Sequence, residues 1–282
     1  MAPRSSSSAR PTRPARRTLV VAVVTALLVG AVGVRVVQNQ VRAEAAPTIN
    51  GSCTTKPGTD GAVFTLDLDQ AANATTIAAV GKRLDMPNHA VTIALATALQ
   101  ESQLHNIAYG DRDSLGLFQQ RPSQGWGTEE QVQNATYASE AFYAHLKKVP
   151  KWQTLPVTDA AQAVQYSAAP KAYAQWEPEA RELAIALTGE VAAGFACRVT
   201  PRPEGVTPSP DIAAATLEAE LGEPGMDQAV QPARGWTIAS WLVGHAVEHH
   251  LTTVSFAGQT WTRDSGAWTA DPAAPTDRVT TL

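Results

Sequence analysis

Only two cysteines, Cys53 and Cys197, occur in the 282 residues of the chain. That scarcity argues against a cysteine-built metal centre. In an exported protein such a pair is a disulfide rather than two free thiols. Charge is sparse as well, at 17% of residues, and little of it is basic outside the N-terminus. Residues 1–46 hold seven arginines and one glutamate, which leaves 15 of the 22 basic and 25 of the 26 acidic residues, a net of −10, for the remainder. Such a body lacks the basic footprint that phosphate backbones require, so nucleic acid is not expected as a partner. Also missing are a P-loop, a glycine-rich dinucleotide fingerprint after a strand, and a Gly-x-Ser-x-Gly elbow. No internal repeat is present, and no cofactor is expected.

What the N-terminus does have is a targeting or anchoring pattern. Arg4, Arg10, Arg13, Arg16 and Arg17 precede an uncharged run from residue 19 to 34. Extended to residue 37, with Arg35 inside it, the run approaches the roughly 20 residues that span a bilayer. The basic flank stays cytoplasmic and everything after it is exported. Segment length favours an uncleaved signal anchor. A cleaved signal peptide is the alternative, since Ala43-Glu44-Ala45 resembles a small-residue cleavage site. Residues 1–17 read as a cytoplasmic tail, 18–37 as the membrane anchor, and 38–70 as a polar stalk with an entry strand.

From 71 to 197 the pattern is helical. Pro87 suits the first turn of a helix that carries Val91, Leu95, Ala98 and Leu99 at helical spacing to about residue 103. Thr128 with Gln131 gives a capping-box signature and opens a helix expected to reach about residue 148. Four prolines mark 198–210 as a linker. A small α+β unit is expected over 211–270, with two helices followed by two or three short strands, and 271–282 reads as a disordered tail. Trp236, Trp241, Trp261 and Trp268 of that unit either form a binding surface for a protein partner or fill a small core.

The chemistry concentrates in ALQESQLHNIAYGDRDSLGLFQQRPSQGWG. Glu101 closes an apolar helix, and a Gly-containing turn with a Gln amide follows at Gly116-Leu117-Phe118-Gln119. An acid at the end of a buried helix, partly withdrawn from water, is the kind of group that donates a proton near neutral pH. The turn offers backbone and amide groups for the hydroxyl and N-acetyl groups of a sugar, and Trp126 offers a stacking face. Asp111 and Asp113 are candidate second carboxylates; Asp is equally at home in the turn YGDRDS, bonding the local backbone.

Glu101-Ser102, then Ser114-x-Gly-Leu-Phe-Gln119, then Ala163-Val164-Gln165-Tyr166-Ser167 resemble, in that order, the three motifs of the lysozyme-like lytic transglycosylases: Glu-Ser, Gly-Leu-Met-Gln and Ala-Tyr-Asn. Goose-type lysozymes belong to that family, and the resuscitation-promoting factors of actinobacteria are related to it. Phe118 stands for the usual Met, and Ser167 stands where an Asn is expected. The resemblance covers roughly residues 75–195. It implies a mainly α architecture, with a lysozyme-like helical domain at 71–197 ahead of the small α+β domain. It also implies an enzyme that cleaves peptidoglycan glycan strands between N-acetylmuramic acid and N-acetylglucosamine. Glu101 would be the acid/base, with Ser102, Ser114, Gln119 and Tyr166 shaping the site and contacting saccharide. One carboxylate suffices if the substrate's N-acetyl group is the nucleophile, whereas hydrolysis needs a second. A catalytically inactive wall-binding or scaffold protein on the same fold is the other reading.

His245-Ala-Val-Glu248-His249 matches the H-x-x-E-H pattern of inverted zinc peptidases. Those sites take a further ligand, commonly a Glu well downstream, and no Glu follows Glu248. The expectation is therefore no metal, with the histidines on a solvated stripe opposite an apolar helix face.

Overall fold

The computed structural model describes residues 49–56, 62–200 and 205–282. The cytoplasmic tail, the anchor and the first part of the stalk lie outside the described residues. Among the described residues no helix is long and apolar enough to cross a membrane. Residues 49–282 form one compact unit.

Eight α-helices and two antiparallel sheets, of three and four strands, build that unit. The mainly α expectation is corrected by this count: 46% of the described residues are helical, and the architecture is an α+β mix. The first sheet has the order β2-β1-β3, with β1 at Asn50–Thr55, β2 at Thr65–Leu66 and β3 at Phe195–Thr200. Its strands lie where stalk and linker were expected. An entry strand was expected within 38–70, and the polar run NGSCTT, with little apolar alternation, is fixed as that strand by its long-range partner β3. Cys53 sits directly opposite Cys197 in the β1–β3 register, and the two form a disulfide.

The helices between these strands are α1 (Leu68–Arg83), α2 (Asn88–Ser102), α3 (Glu129–Val132), α4 (Ala135–Leu146), α5 (Val157–Gln165) and α6 (Glu177–Leu187). Central α2 is buried on nearly every side, packed against α5, α6 and α1. Its Ala- and Thr-rich sequence allows neighbours to approach closely on every face. The Thr128–Gln131 capping box is present, but the helix expected beyond it breaks after one turn. Asn134 restarts it as α4 by accepting the Tyr137 N–H at 2.9 Å.

Beyond 205 come α7 (Pro210–Leu221), α8 (Pro232–Gly244) and a sheet of order β6-β5-β4-β7. Its strands are β4 at Thr253–Phe256, β5 at Gln259–Thr262, β6 at Ala267–Ala270 and β7 at Thr280–Thr281. The segment expected as a disordered tail thus contributes β7, which pairs with β4 through Val254 and Ser255. These elements share a core with the preceding helices: α7 and α8 both pack on α1, and α8 also meets β3. Trp236, Trp241 and Trp261 are buried. The indole N–H of Trp261 donates to the Cys197 carbonyl at 3.0 Å, and that of Trp268 to the Phe195 carbonyl at 2.9 Å. Two tryptophans therefore fasten the second sheet to the backbone of β3, Trp261 fully buried and Trp268 partly so, each with its donor satisfied.

Candidate functional site

The site begins at the C-terminal end of α2. Gln103 and Leu104 both take left-handed backbone, with φ of 55° and 61°, and turn the chain sharply. The Gln103 N–H reaches the Leu99 carbonyl and the Leu104 N–H the Ala98 carbonyl, each at 3.1 Å, which closes the helix. Glu101 is thereby held on the last turn of a rigid, buried element, half-buried itself.

Ser102 points inward. It is buried, and its hydroxyl lies 2.8 Å from the Leu117 carbonyl and 3.1 Å from that of Ala98. Ser102 ties the helix end to the loop that follows and shapes the site from behind; it does not line the cleft.

That loop is closed by a two-bond bridge, in which Leu115 and Gln120 exchange N–H···O contacts of 3.0 Å. Leu117 and Phe118 are buried, and Phe118 stacks on Phe142 with ring centroids 4.7 Å apart. The Phe118 carbonyl accepts from the Gln165 amide at 2.8 Å, which joins the loop to the end of α5. Gly116 has φ of +76°, and a Cβ there would collide with the Val132 carbonyl. Gly116→Ala is expected to destabilise the fold by ~1–3 kcal/mol, the order of a strained left-handed residue, read as a lower urea midpoint at unchanged slope.

Between helix end, loop and α5 lies a cleft of about 610 Å³. Of the residues singled out in the sequence, Glu101, Ser114, Gln119, Tyr166 and Asp111 line it together. Trp126 and His145 form part of another wall, with ring centroids 4.0 Å apart. Tyr166 caps α5 in left-handed backbone (φ 52°) and is 86% exposed, so its ring stands at the cleft as an open apolar face. Gln119 is also left-handed (φ 48°), and its amide donates to the Tyr109 and Gly116 carbonyls, each at 3.3 Å. Non-glycine residues in this conformation cost energy and persist where surrounding contacts hold them.

The two aspartates separate. The Asp111 side chain is 92% exposed, with the Arg112 guanidinium 3.9 Å away. Asp113 is not among the residues lining the cleft and is engaged structurally: one oxygen accepts the Ser123 backbone N–H and the other the Arg121 guanidinium, each at 2.7 Å. Hydrogen bonds from Ser123, then from Arg121, hold the Asp113 carboxyl well below the usual carboxylate range. A carboxylate depressed in the folded state contributes stability above its unfolded pKa, and that contribution is lost as pH falls through the folded value. Asp113→Asn is expected to lower the melting temperature at neutral pH, with the gap to the parent closing as pH drops below about 4. Melting curves from neutral to strongly acidic pH check this; a constant gap would refute it.

The tyrosine that touches the acid is Tyr173, not Tyr166. Its hydroxyl donates to Glu101 Oε1 at 2.6 Å from the short 3-10 turn Ala172–Trp176. Burial, followed by the contact with Glu101, raises the Tyr173 pKa far above the ordinary phenol value, so the group stays a donor. The signal in the sequence was the pair Ala172-Tyr173, which keeps two of the three letters of Ala-Tyr-Asn. Beside it, Gln100 Oε1 accepts from the Trp176 indole at 2.8 Å and the Gln175 amide at 3.0 Å, pinning this turn to α2.

His245 and His249 do not lie on a solvated stripe: both are buried. The helix ends at Gly244, and the turns that follow fold these rings back against Trp241. No family model matches the chain, and no curated protein matches it either.

Proposed function

We propose that the chain cleaves the glycan strands of peptidoglycan between N-acetylmuramic acid and N-acetylglucosamine, with Glu101 as the single acid/base. The observation that carries this reading is the Glu101 carboxyl at a cleft of about 610 Å³, with Tyr173 donating to its Oε1. That hydrogen bond occupies one oxygen and leaves Oε2 to carry the transferable proton. Glu101 protonates the glycosidic oxygen as the bond breaks. The N-acetyl carbonyl of the substrate attacks the anomeric carbon, which spares the protein a second carboxylate. Glu101, now ionised, takes the proton of an internal sugar hydroxyl that closes the ring, and the product is anhydro-ended.

The two aspartates favour this route over hydrolysis. Both oxygens of Asp113 are engaged by Arg121 and Ser123, and the Asp111 side chain is exposed, with the Arg112 guanidinium 3.9 Å away. Neither is a firmly held base for a water molecule. Ser114, Gln119 and Tyr166 contribute polar and stacking contacts to saccharide, with Trp126 opposite. The chain would meet its substrate outside the cytoplasm, tethered through the N-terminal segment or released by signal cleavage.

Digestion of purified peptidoglycan followed by mass analysis of the fragments tests the proposal. Anhydro-ended muropeptides are the expected product. Reducing ends would move the assignment to hydrolysis with Asp111 as second carboxylate, and wall binding without fragments would leave a non-catalytic wall-binding protein.

A further inference from the structure

The turns that follow α8 gather three ligand-type side chains away from the cleft. One ring nitrogen each of His245 and His249 and one carboxylate oxygen of Glu248 all lie within 4.8 Å of one another. Both imidazoles are more than nine-tenths buried, at 5% and 2% exposure, whereas the Glu248 side chain is 62% exposed. His245 and His249 are four residues apart on continuing helical turns, the His249 N–H bonding the His245 carbonyl at 3.1 Å, so they share a face. Trp241 stacks against both rings, with centroids 4.1 Å from His245 and 5.7 Å from His249.

The hydrogen bonds around the cluster narrow what belongs there. The Thr76 hydroxyl has one proton, and it goes to buried Glu220 Oε2 at 2.8 Å. Thr76 Oγ1 must therefore accept from His245, whose Nε2 lies 3.3 Å away, and Nε2 carries the ring proton. His245 Nδ1 faces Glu248 Oε2 at 3.2 Å. Either a second ring proton or a metal ion can lie between these two atoms. A second imidazole proton would serve that pair alone. It would leave the buried His249 Nε2, which has no hydrogen-bond partner among the described residues, unsatisfied. A metal ion bound by all three side chains satisfies the cluster at once.

We propose that His245, Glu248 and His249 bind one divalent transition cation of the zinc class, with water completing a tetrahedral shell. Two imidazoles and a carboxylate suit such a borderline ion rather than magnesium or calcium. The 3.2 Å between His245 Nδ1 and Glu248 Oε2 is close to the spacing of ligands around a tetrahedral centre with bonds of ~2.0–2.1 Å, and the three ligand atoms, spread over as much as 4.8 Å, draw together on binding. Behind His245, the chain through Thr76 to Glu220 is the outer-shell support that fixes a ligating imidazole's tautomer. Glu220 is itself held by the Trp241 indole at 2.7 Å and the Thr136 hydroxyl at 2.9 Å. With Glu248 used as a ligand, no motif carboxylate remains to activate water. The site is structural and pins the turns after α8.

The purified untagged full chain, stripped with chelator, tests this without reference to wall cleavage. Titration with zinc chloride at neutral pH is expected to show one ion bound per chain and a raised melting temperature. Cobalt chloride is expected to give the visible absorption of a tetrahedral nitrogen/oxygen site. Glu248→Gln alters an exposed side chain, so it should fold normally, bind zinc at least ~10-fold more weakly and lose the zinc-dependent stabilisation. No zinc uptake by the parent, or equal affinity in the Glu248→Gln protein, overturns the proposal.

Discussion

Glu101→Gln is expected to slow peptidoglycan clearance by about 10²–10⁴-fold, the range contributed by a positioned general acid/base, while leaving the melting temperature near that of the parent. Gln keeps the shape and still accepts the Tyr173 hydroxyl, whose contact with Glu101 Oε1 is 2.6 Å. It cannot give a proton to a glycosidic oxygen. The helix that presents residue 101 is closed by backbone bonds from Gln103 and Leu104, and the Ser102 hydroxyl fastens it to the Leu117 carbonyl. None of these contacts involves the carboxyl, so activity and stability should part company in this variant. Turbidity clearance of purified cell walls measures the first and thermal melting the second. Clearance at the parental rate would remove Glu101 from the mechanism and the proposed activity with it.

Breaking the disulfide is expected to have the largest effect on stability. Cys53 and Cys197 close a loop of sequence separation 144. Chain-entropy reasoning gives a ceiling of about 5 kcal/mol for a loop of that length, and native bridges commonly return ~2–5 kcal/mol. The bridge is central in space as well. It joins the β1 and β3 residues that face each other in the sheet, and the Cys197 carbonyl receives the Trp261 indole of the C-terminal sheet. The Cys53→Ala/Cys197→Ala double variant should lose much of the margin of a fold whose total is ~5–15 kcal/mol. Because the second sheet hangs on the same strand, it should loosen together with the first. Denaturant unfolding followed by tryptophan fluorescence reads both events. An unchanged midpoint would show that the sheet contacts alone hold the two ends of the helical region.

Several parts of the site were legible in the sequence because they depend on neighbours along the chain. Glu101 ends an apolar helix, Gly116 allows a turn that a side chain would block, and Thr128 with Gln131 caps a helix. Each is a local device whose residues lie within a few positions of one another. Asp113 was open between a second carboxylate and a local turn residue, and its actual partners, Arg121 and Ser123, lie eight and ten positions away, outside the YGDRDS turn. Tyr166 lines the cleft as expected of a site residue, whereas Tyr173, which bonds Glu101, went unnoticed. The contact between Tyr173 and Glu101 spans 72 positions and leaves no periodic trace.

The sequence by itself determined the residues at hand: one acid on a helix end, a Gly-Gln turn, one possible cysteine pair, and a body of net acidic charge. These follow from residue type and short-range geometry. Tertiary structure alone decided the rest. It made polar NGSCTT a strand by supplying β3 as its partner, joined the region beyond 205 to the helical core through indole–carbonyl bonds, and separated Asp111 from Asp113. It also buried His245 and His249, which sequence spacing had put on a wet face. Burial and long-range pairing depend on which surfaces meet once the chain is compact. A local pattern shows which face of a helix is apolar, but not which neighbour will cover the other.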